Sequence, residues 1–346
     1  KGKTMKKPYP LPLISFCRKG PWENSGLPNA ILQDLKGKSE IKIESYDSKN
    51  ISTAKDPLYK DFLYKVMNPQ TQAILFKNNY LPKIPKVVFL ESDSHLKELN
   101  KESYWDDILA FICTEKNKGS IEGRPCFFFG EITKISDFLL KNIFQKTEKY
   151  PLYGLVLLGG RGKRMKKDKG ALDYFGKPQS EHVYELLSTL CDDVYVSCRN
   201  EQQESEHLKN LKGKLLPDQF LEYGPMGGIL TALRKEPEAS WLVLACDLPY
   251  VSEELLKDLI KRRNPLKMAT CLENPEKGWP EPLCTIYEPI AYKNFLQYLS
   301  VGVECPRKVL MNSNIETLKI KDKLALQNVN TPEEFRRAKT ELEAHI

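Results

Sequence analysis

The sequence predicts an α/β protein of two domains, of which the C-terminal one is a doubly wound, mostly parallel sheet. From about residue 152 onward, short apolar runs of strand length alternate with segments whose apolar residues recur at helical spacing. The length of 346 residues exceeds one typical domain, and a polar stretch with a proline at 145–151 separates the two halves. We therefore predict domains at 1–148 and 149–346, the first a second, smaller α/β domain.

The elements of the C-terminal half follow the order strand, helix, strand, helix, strand. Val183, Leu186, Leu187 and Leu190 share one helical face, and Ser252 and Thr331 stand where helix caps are expected. Pro332 suits the first position of the last helix. The predicted strands are 155–158, 171–175, 193–198, 241–245 and 282–287, and helices are predicted to begin near 181, 227, 253, 290 and 332.

The N-terminal half also has the pattern of an α/β domain. Its apolar runs predict a sheet, which we expect to be parallel, followed by a terminal helix. The predicted strands are 13–17, 39–46, 87–90, 108–113 and 126–129, and the helix is 133–143.

Composition excludes several classes of protein. With 41% hydrophobic and 29% charged residues the chain is not biased toward disorder, and no run reaches the roughly 18 apolar residues of a membrane span. Nine cysteines without a C-x-x-C pair favour reduced thiols, mostly in the core, and a cytoplasmic protein. Four scattered histidines have no zinc-ligand spacing. The net charge of +7 favours anionic ligands without separating a nucleotide from a nucleic acid.

Residues 155–169 form the most informative stretch. An apolar run enters a glycine turn at Gly159 and Gly160, which can present backbone N–H groups to an anion. Six cations then surround the single carboxylate of Asp168: Arg161, Lys163, Arg164, Lys166, Lys167 and Lys169. The stretch lacks both the Walker pattern and the G-x-G-x-x-G pattern. It therefore predicts a polyphosphate site; the alternatives are a solvated basic loop or a nucleic-acid patch, and the latter is disfavoured because interleaved aromatic residues are absent.

Five motifs in order resemble those of the molybdenum cofactor guanylyltransferases, over roughly residues 152–340. The first combines Leu157-Leu158-Gly159-Gly160 with Arg164-Met165 and Asp168-Lys169. The other four are Gly176-Lys177-Pro178, Asp218 ahead of the Gly-Pro-Met-Gly-Gly turn at 224–228, Cys246-Asp247-Leu248-Pro249, and the Asn-Val-Asn-Thr-Pro-Glu-Glu segment at 328–334.

The resemblance implies a Mg²⁺-dependent enzyme that joins GMP from GTP to the terminal phosphate of molybdopterin and releases pyrophosphate. GTP, molybdopterin and other proteins of molybdenum cofactor biosynthesis are then the expected partners. Arg164 and Lys169 would act on the triphosphate, and Asp247, after a buried strand, would hold Mg²⁺ through one carboxylate. The resemblance also implies contacts to the nucleotide from Leu157, Leu158, Gly159, Gly160, Asp218, and Asn200 or its neighbour Arg199. Asn330 would lie near the metal or the pterin phosphate.

Alternatives remain open at this point. Asp247 can instead be a turn residue before Pro249, and Asn330 a neighbour of a helix cap. The chain departs from the family at Leu158, at Lys166 and in the absence of a histidine at 279–282. Transfer of CMP to the same pterin, another NTP transferase activity, or a non-catalytic pterin-cofactor scaffold are the competing functions.

The N-terminal half has a weaker resemblance to a known domain. Residues 107–139 are similar to the end of the MobB-like adaptor domain that is often fused to such transferases. The place of that domain's Walker loop, residues 17–26, lacks Gly-Lys-Ser/Thr. We therefore expect either a degenerate adaptor without a Walker loop or an unrelated α/β module.

Overall fold

The computed structural model describes residues 13–17, 26–38, 43–47, 73–77, 85–90, 92–102, 104–114, 120–147, 150–158 and 168–344. The chain divides into two compact units, residues 1–148 and 149–346. Each unit contains a seven-stranded sheet, and the predicted α/β class with mostly parallel strands is confirmed. No helix among these residues combines the length and the apolar character needed to cross a lipid bilayer.

The sheet of the first unit has the order β2-β3-β1-β4-β5-β7-β6, and only the short β6 runs antiparallel to its neighbour. The strands are β1 (Leu13–Cys17), β2 (Ile43–Asp47), β3 (Ala73–Lys77), β4 (Lys86–Leu90), β5 (Ile108–Cys113), β6 (Ser120–Ile121) and β7 (Arg124–Phe128). The helices are α1 (Leu27–Lys38), α2 (Asp93–Leu99) and α3 (Ile132–Thr147). The sequence analysis missed α1, β3, α2 and β6.

The sheet of the second unit has the order β10-β9-β8-β11-β13-β12-β14, and β13 is the one strand reversed against its neighbours. The strands are β8 (Leu152–Leu157), β9 (Asp193–Cys198), β10 (Leu215–Pro217), β11 (Ser240–Ala245), β12 (Ala269–Glu273), β13 (Pro280–Tyr287) and β14 (Glu316–Lys319). The helices are α4 (Gln179–Ser188), α5 (Pro225–Lys235), α6 (Glu253–Lys261), α7 (Ala291–Ser300), α8 (Pro306–Met311) and α9 (Pro332–Glu343).

The central strands β8 and β11 align so that both end at the same level of the sheet. Leu157 pairs with Ala245, and the Cys246 N–H donates to the Leu157 carbonyl at 3.0 Å. Helix α5 lies close to this point because Gly228 has no side chain: a Cβ there would come within 2.4 Å of Ser197 Oγ and 2.8 Å of Leu157 Cδ2. The residues that follow β8, β9 and β11 therefore emerge together at one edge.

The strand predicted at 171–175 is wrong. The chain forms a 3₁₀ turn at Lys169–Ala171 and then a single bridge between Asp173 and Pro178. Leu172 and Tyr174 alternate as in a strand, but they pack against Val329 and Ala338 near and on α9 rather than beside a sheet neighbour. Strands β10, β12 and β14 and helix α8 were not predicted in this unit. Among the described residues no cysteine forms a disulfide, and seven of the nine cysteines are buried.

A buried polar cluster fastens the opposite edge of the second sheet. Ser240 begins β11, and Glu288 follows β13 beside it. The Arg263 guanidinium donates to both Glu288 oxygens, at 2.7 and 2.8 Å, and to Ser240 Oγ at 2.5 Å. Ser240 Oγ donates to Glu288 Oε2 at 2.6 Å. Because the Glu288 side chain is only 1% exposed, its charge depends on these partners.

We predict that Arg263→Ala lowers the free energy of unfolding of the second unit by about 3–5 kcal/mol, because Glu288 would stay buried without a partner. Its neighbour Arg262 pairs with Asp258 at the surface, so the matched control Arg262→Ala should cost at most about 1 kcal/mol. Hydrogen exchange of peptides from β11 and β13, read by mass spectrometry, isolates this unit. Equal losses for the two variants would contradict a structural role of the buried cluster.

Candidate active site

Three side chains from distant parts of the sequence meet at the edge where β8 and β11 end. Lys169 Nζ donates to Asp247 Oδ2 at 2.8 Å and to Asn330 Oδ1 at 2.6 Å. The side chains of Lys169 and Asp247 are 12% and 14% exposed. At this burial an isolated ammonium or carboxylate would be costly, so each charge stabilises the other.

Asp247 owes its position to the end of β11 and to a backbone contact. It lies two residues beyond Ala245, and its carbonyl accepts from the Val329 N–H at 2.9 Å. This bond holds the segment before α9 against the end of the strand. Asp247 and Asn330 are therefore brought together by main-chain as well as side-chain contacts.

A capping box fixes Asn330 at the start of α9. Glu334 Oε2 accepts from the backbone N–H groups of Asn330 at 2.7 Å and Thr331 at 3.1 Å, while the Glu334 N–H donates to Thr331 Oγ1 at 3.2 Å. The helix is held to the unit by the edge-on contact of Tyr174 with Phe335. The Tyr250 hydroxyl adds a hydrogen bond to Glu341 at 2.5 Å. The Asn330 amide oxygen is thus directed at Lys169 by local structure.

A cavity of about 560 Å³ opens beside this cluster. Its walls come from the ends of β8, β9 and β11 and from residues 218–225, and Asp247 lies in its lining. Phe220 and Leu221 cover one side, on a loop in which Glu222 and Gly224 both have positive φ, 68° and 53°. The Phe220 carbonyl fits against Gly227, where a Cβ would come within 2.2 Å of the oxygen. The volume falls in the range of small-molecule sites.

Asp218 provides a half-buried carboxylate in the lining of the cavity. Ser197 Oγ donates to its Oδ1 at 2.7 Å. Burial raises the pKa of Asp218 to about 6, and the hydrogen bond from Ser197 and the charge of Arg199 oppose part of that rise. Ser197 is a cavity residue that the sequence did not single out, because a serine inside a strand carries no special signal.

The structure brings most of the predicted site residues together. Leu157, Leu158, Asn200, Asp218 and Asp247 line the cavity, and Lys169 and Asn330 contact Asp247. Arg199 and Asn200 both line it, so the two alternatives for that position remain. Gly159, Gly160 and Arg164 lie outside the described residues. Their assignment stays a prediction.

A second buried carboxylate next to this site was missed. Glu281, near the start of β13, is 2% exposed and accepts from the Leu283 N–H at 3.1 Å. Burial raises its pKa, and the negative charge of Asp247 adds to the rise. In the sequence, segment 279–282 had stood out because it lacks the histidine that is common in the family, and Glu281 was not considered. A glutamate between two prolines gives no sign that β13 will lie beside β11.

The arrangement fits an oxygen-binding cation. Asp247 Oδ1 is buried and has no hydrogen-bond partner among the described residues, and Asn330 supplies a neutral amide oxygen nearby. Among all the residues that the structure describes, no group of three or more His, Cys, Asp or Glu side chains could enclose a metal. Few protein ligands with oxygen donors suit Mg²⁺, which keeps most of its waters.

Comparison with known proteins gives one family match and several relatives. The family model of the MobA-like NTP transferase domain matches residues 154–313. A molybdenum cofactor biosynthesis bifunctional protein from Synechocystis sp. is 38% identical over 58% of this chain and 59% of its own length, so the match spans about three fifths of that relative. A molybdenum cofactor guanylyltransferase from Pseudomonas fluorescens is 32% identical over 53% of this chain and 91% of its own length.

Among solved structures, the crystal structure of molybdopterin-guanine dinucleotide biosynthesis protein A from Archaeoglobus fulgidus aligns with 56% of this chain and 100% of its own. The TM-score is 0.46 and the sequence identity is 26%.

We predict that Asp218→Asn leaves the thermal midpoint of the second unit unchanged or raises it at pH 7.5. The pKa of Asp218 is higher in the folded protein than its usual 3.8, so its contribution to stability is present below pH 3.8 and is lost as the pH rises through about 6. The asparagine removes this penalty and can still accept from Ser197. Thermal unfolding at pH 5 and pH 7.5, with Asp322→Asn as an exposed control, tests this. A variant that is less stable relative to wild type at pH 7.5 than at pH 5 contradicts it.

Proposed function

Because the chain belongs to the MobA-like NTP transferase family, we propose that residues 149–346 transfer GMP from GTP to the terminal phosphate of molybdopterin, giving the dinucleotide cofactor and pyrophosphate. The observation that supports this most directly is the contact of Lys169 with Asp247 and Asn330 beside a cavity large enough for a nucleoside. Molybdopterin and the proteins that make or use it are then the expected partners.

The main obstacle in this reaction is repulsion between anions. An oxygen of the acceptor phosphate forms a bond to the α-phosphorus of GTP while the bond from that phosphorus to the bridging oxygen breaks, and the electron pair leaves with pyrophosphate. The Lys169 ammonium has three N–H donors, of which two are directed at Asp247 and Asn330. The third is available for a phosphate oxygen as negative charge shifts to the leaving group.

Mg²⁺ is proposed as the cofactor. Asp247 would hold it through Oδ1, with the Asn330 amide oxygen as the neighbouring donor. When bound, it would supply positive charge that offsets the charge of the triphosphate. The glycines and Arg164 of residues 159–164 would add N–H donors and a further cation, as the sequence predicts.

The choice of guanine rests on the chemistry of the cavity wall. Guanine presents two adjacent donors, N1–H and the N2 amino group, which one carboxylate can accept together. Asp218 is a carboxylate held in place by Ser197, and Leu157 and Leu158 offer apolar surface to a base. Cytosine presents one donor group on its pairing edge, so it fits the Asp218 carboxylate less well. These contacts support GTP over CTP.

We predict that purified full-length protein with Mg²⁺ and molybdopterin uses GTP at least about 10-fold more efficiently than CTP, measured as pyrophosphate release. Asp218→Asn should narrow this preference, because an amide can no longer accept both guanine donors. Equal use of the two nucleotides, or a preference for CTP, would overturn the guanylyltransferase assignment. Failure to use any nucleotide would favour a non-catalytic scaffold.

We predict that Asp247→Asn lowers the rate of transfer by about 100–1,000-fold, because it removes the anionic ligand and the ionic partner of Lys169. Asp258→Asn, at an exposed ion pair in the same unit, is the matched control and should keep its activity. Hydrogen exchange of β8 and β11 reports whether the variant is folded. A folded Asp247→Asn protein with wild-type turnover would contradict the proposed role.

A further inference from the structure

We infer that Gln202 is a positioning residue that ties Lys169 to the wall of the cavity, through hydrogen bonds to Asp168 on one side and to the Arg199 backbone on the other. The inference rests on the proposed function for its meaning, since it concerns how a nucleoside in the cavity and the Lys169 ammonium are held in register. Its structural part stands on contacts between described residues alone.

The side-chain amide of Gln202 uses both of its ends. Its Nε2 donates to Asp168 Oδ2 at 2.5 Å, and its Oε1 accepts from the Arg199 N–H at 2.9 Å. Gln202 is 5% exposed, so a lost partner would leave a buried polar group unpaired. The His207 ring is near the same Asp168 oxygen, but its Nε2 is 3.9 Å away, too far for a hydrogen bond. Among the side chains that the structure describes, Gln202 is therefore the one that holds this oxygen by a hydrogen bond.

Both neighbours of Lys169 are fixed by the same arrangement. Asp168 Oδ1 accepts from the Gly170 N–H at 3.0 Å and closes the 3₁₀ turn that carries Lys169. Gly170 itself lies against the cavity residue Leu158, where a Cβ would come within 2.8 Å of Leu158 Cδ2. The backbone of Lys169 thus has little freedom as long as Asp168 is held by Gln202.

The other end of the connection is part of the cavity. Arg199, Asn200 and Gln202 all line it, directly after β9. A nucleoside that binds against this wall would therefore contact Gln202, which holds Asp168. Because small errors in placement slow group transfer strongly, a break in this connection should affect turnover more than binding.

A charge exchange tests the inference, because one pair of substitutions preserves every hydrogen bond. Gln202→Glu alone places two carboxylates next to each other, and they repel. Asp168→Asn alone leaves a single acceptor oxygen at residue 168, so either the bond from the Gly170 N–H or the bond from Gln202 is lost. In the double variant Asp168→Asn/Gln202→Glu, the new amide N–H can donate to the new carboxylate, whose other oxygen still accepts from Arg199. The total charge of the pair is unchanged.

We predict that each single variant lowers kcat by about 10–100-fold with KM for GTP changed by less than about 3-fold, while the double variant recovers to within about 5-fold of wild type. Asp258→Asn, a carboxylate-to-amide change like Asp168→Asn but at an exposed ion pair, is the matched control and should stay within about 3-fold of wild type. Single variants with wild-type kcat, or a double variant no better than the worse single one, would overturn the inference.

A second readout does not depend on transferase activity. Reductive methylation of Lys169, measured by mass spectrometry against Lys177 as an internal standard, reports how tightly Lys169 is held. It should rise severalfold in each single variant and fall back in the double variant. If the wild type transfers no nucleotide, but labelling of Lys169 rises in the single variants and falls back in the double variant, the proposed function fails and the positioning role stands. If labelling of Lys169 is the same in all four proteins, the positioning role fails.

Discussion

The ion pair of Lys169 with Asp247, together with the hydrogen bond from Lys169 to Asn330, is the interaction on which the rest of the site depends. These residues are 78 and 161 positions from Lys169, and only the finished sheet, with the segment before α9 in place, brings them together. A half-buried ammonium without its carboxylate would be costly, so the ion pair favours the assembled edge even before a substrate arrives. In the proposed reaction the phosphate groups must share a cation that the protein already uses for its own folding. Any change that frees Lys169 therefore acts on stability and on chemistry together.

The edge of the second sheet where β11 begins and the edge where β11 ends differ in how their buried polar groups are paired. At one edge, both oxygens of the buried Glu288 carboxylate accept hydrogen bonds, from the Arg263 guanidinium and from Ser240 Oγ. At the other edge, Asp247 Oδ1 is buried without a hydrogen-bond partner among the residues described, and the nearby cavity is bounded by loops. Polar groups left unsatisfied in a folded protein are expected where a ligand completes them. The two edges thus differ in whether a buried carboxylate oxygen is left for a ligand.

Sequence patterns predicted two kinds of element most reliably: helix caps, which depend on neighbouring residues, and strands in the centre of the sheet. Strand β9 was predicted with its observed bounds, and the caps at Ser252 and Thr331 stand where the helices begin. Strands β10, β12 and β14 were not predicted because each has only three to five residues, and β14 contains a single apolar side chain. The alternation at 171–175 was misread since its partner is a helix. For the site, motif order identified Lys169 and Asp247, but the bond between Gln202 and Asp168 spans 34 residues and depends on packing that no local pattern encodes.

The charges around the cavity also bear on how a nucleotide could enter it. Glu201, Asp218 and Glu222 are lining residues of the cavity, and Arg199 is the cation among the lining residues described. A triphosphate would be repelled by these carboxylates and attracted to Lys169, whereas a base with donor groups gains from a carboxylate acceptor. The same burial that raises the pKa of Asp218 to about 6 makes its ionised form a stronger acceptor once a donor arrives. These charges therefore favour an orientation in which the base faces Asp218 and the phosphates face Lys169.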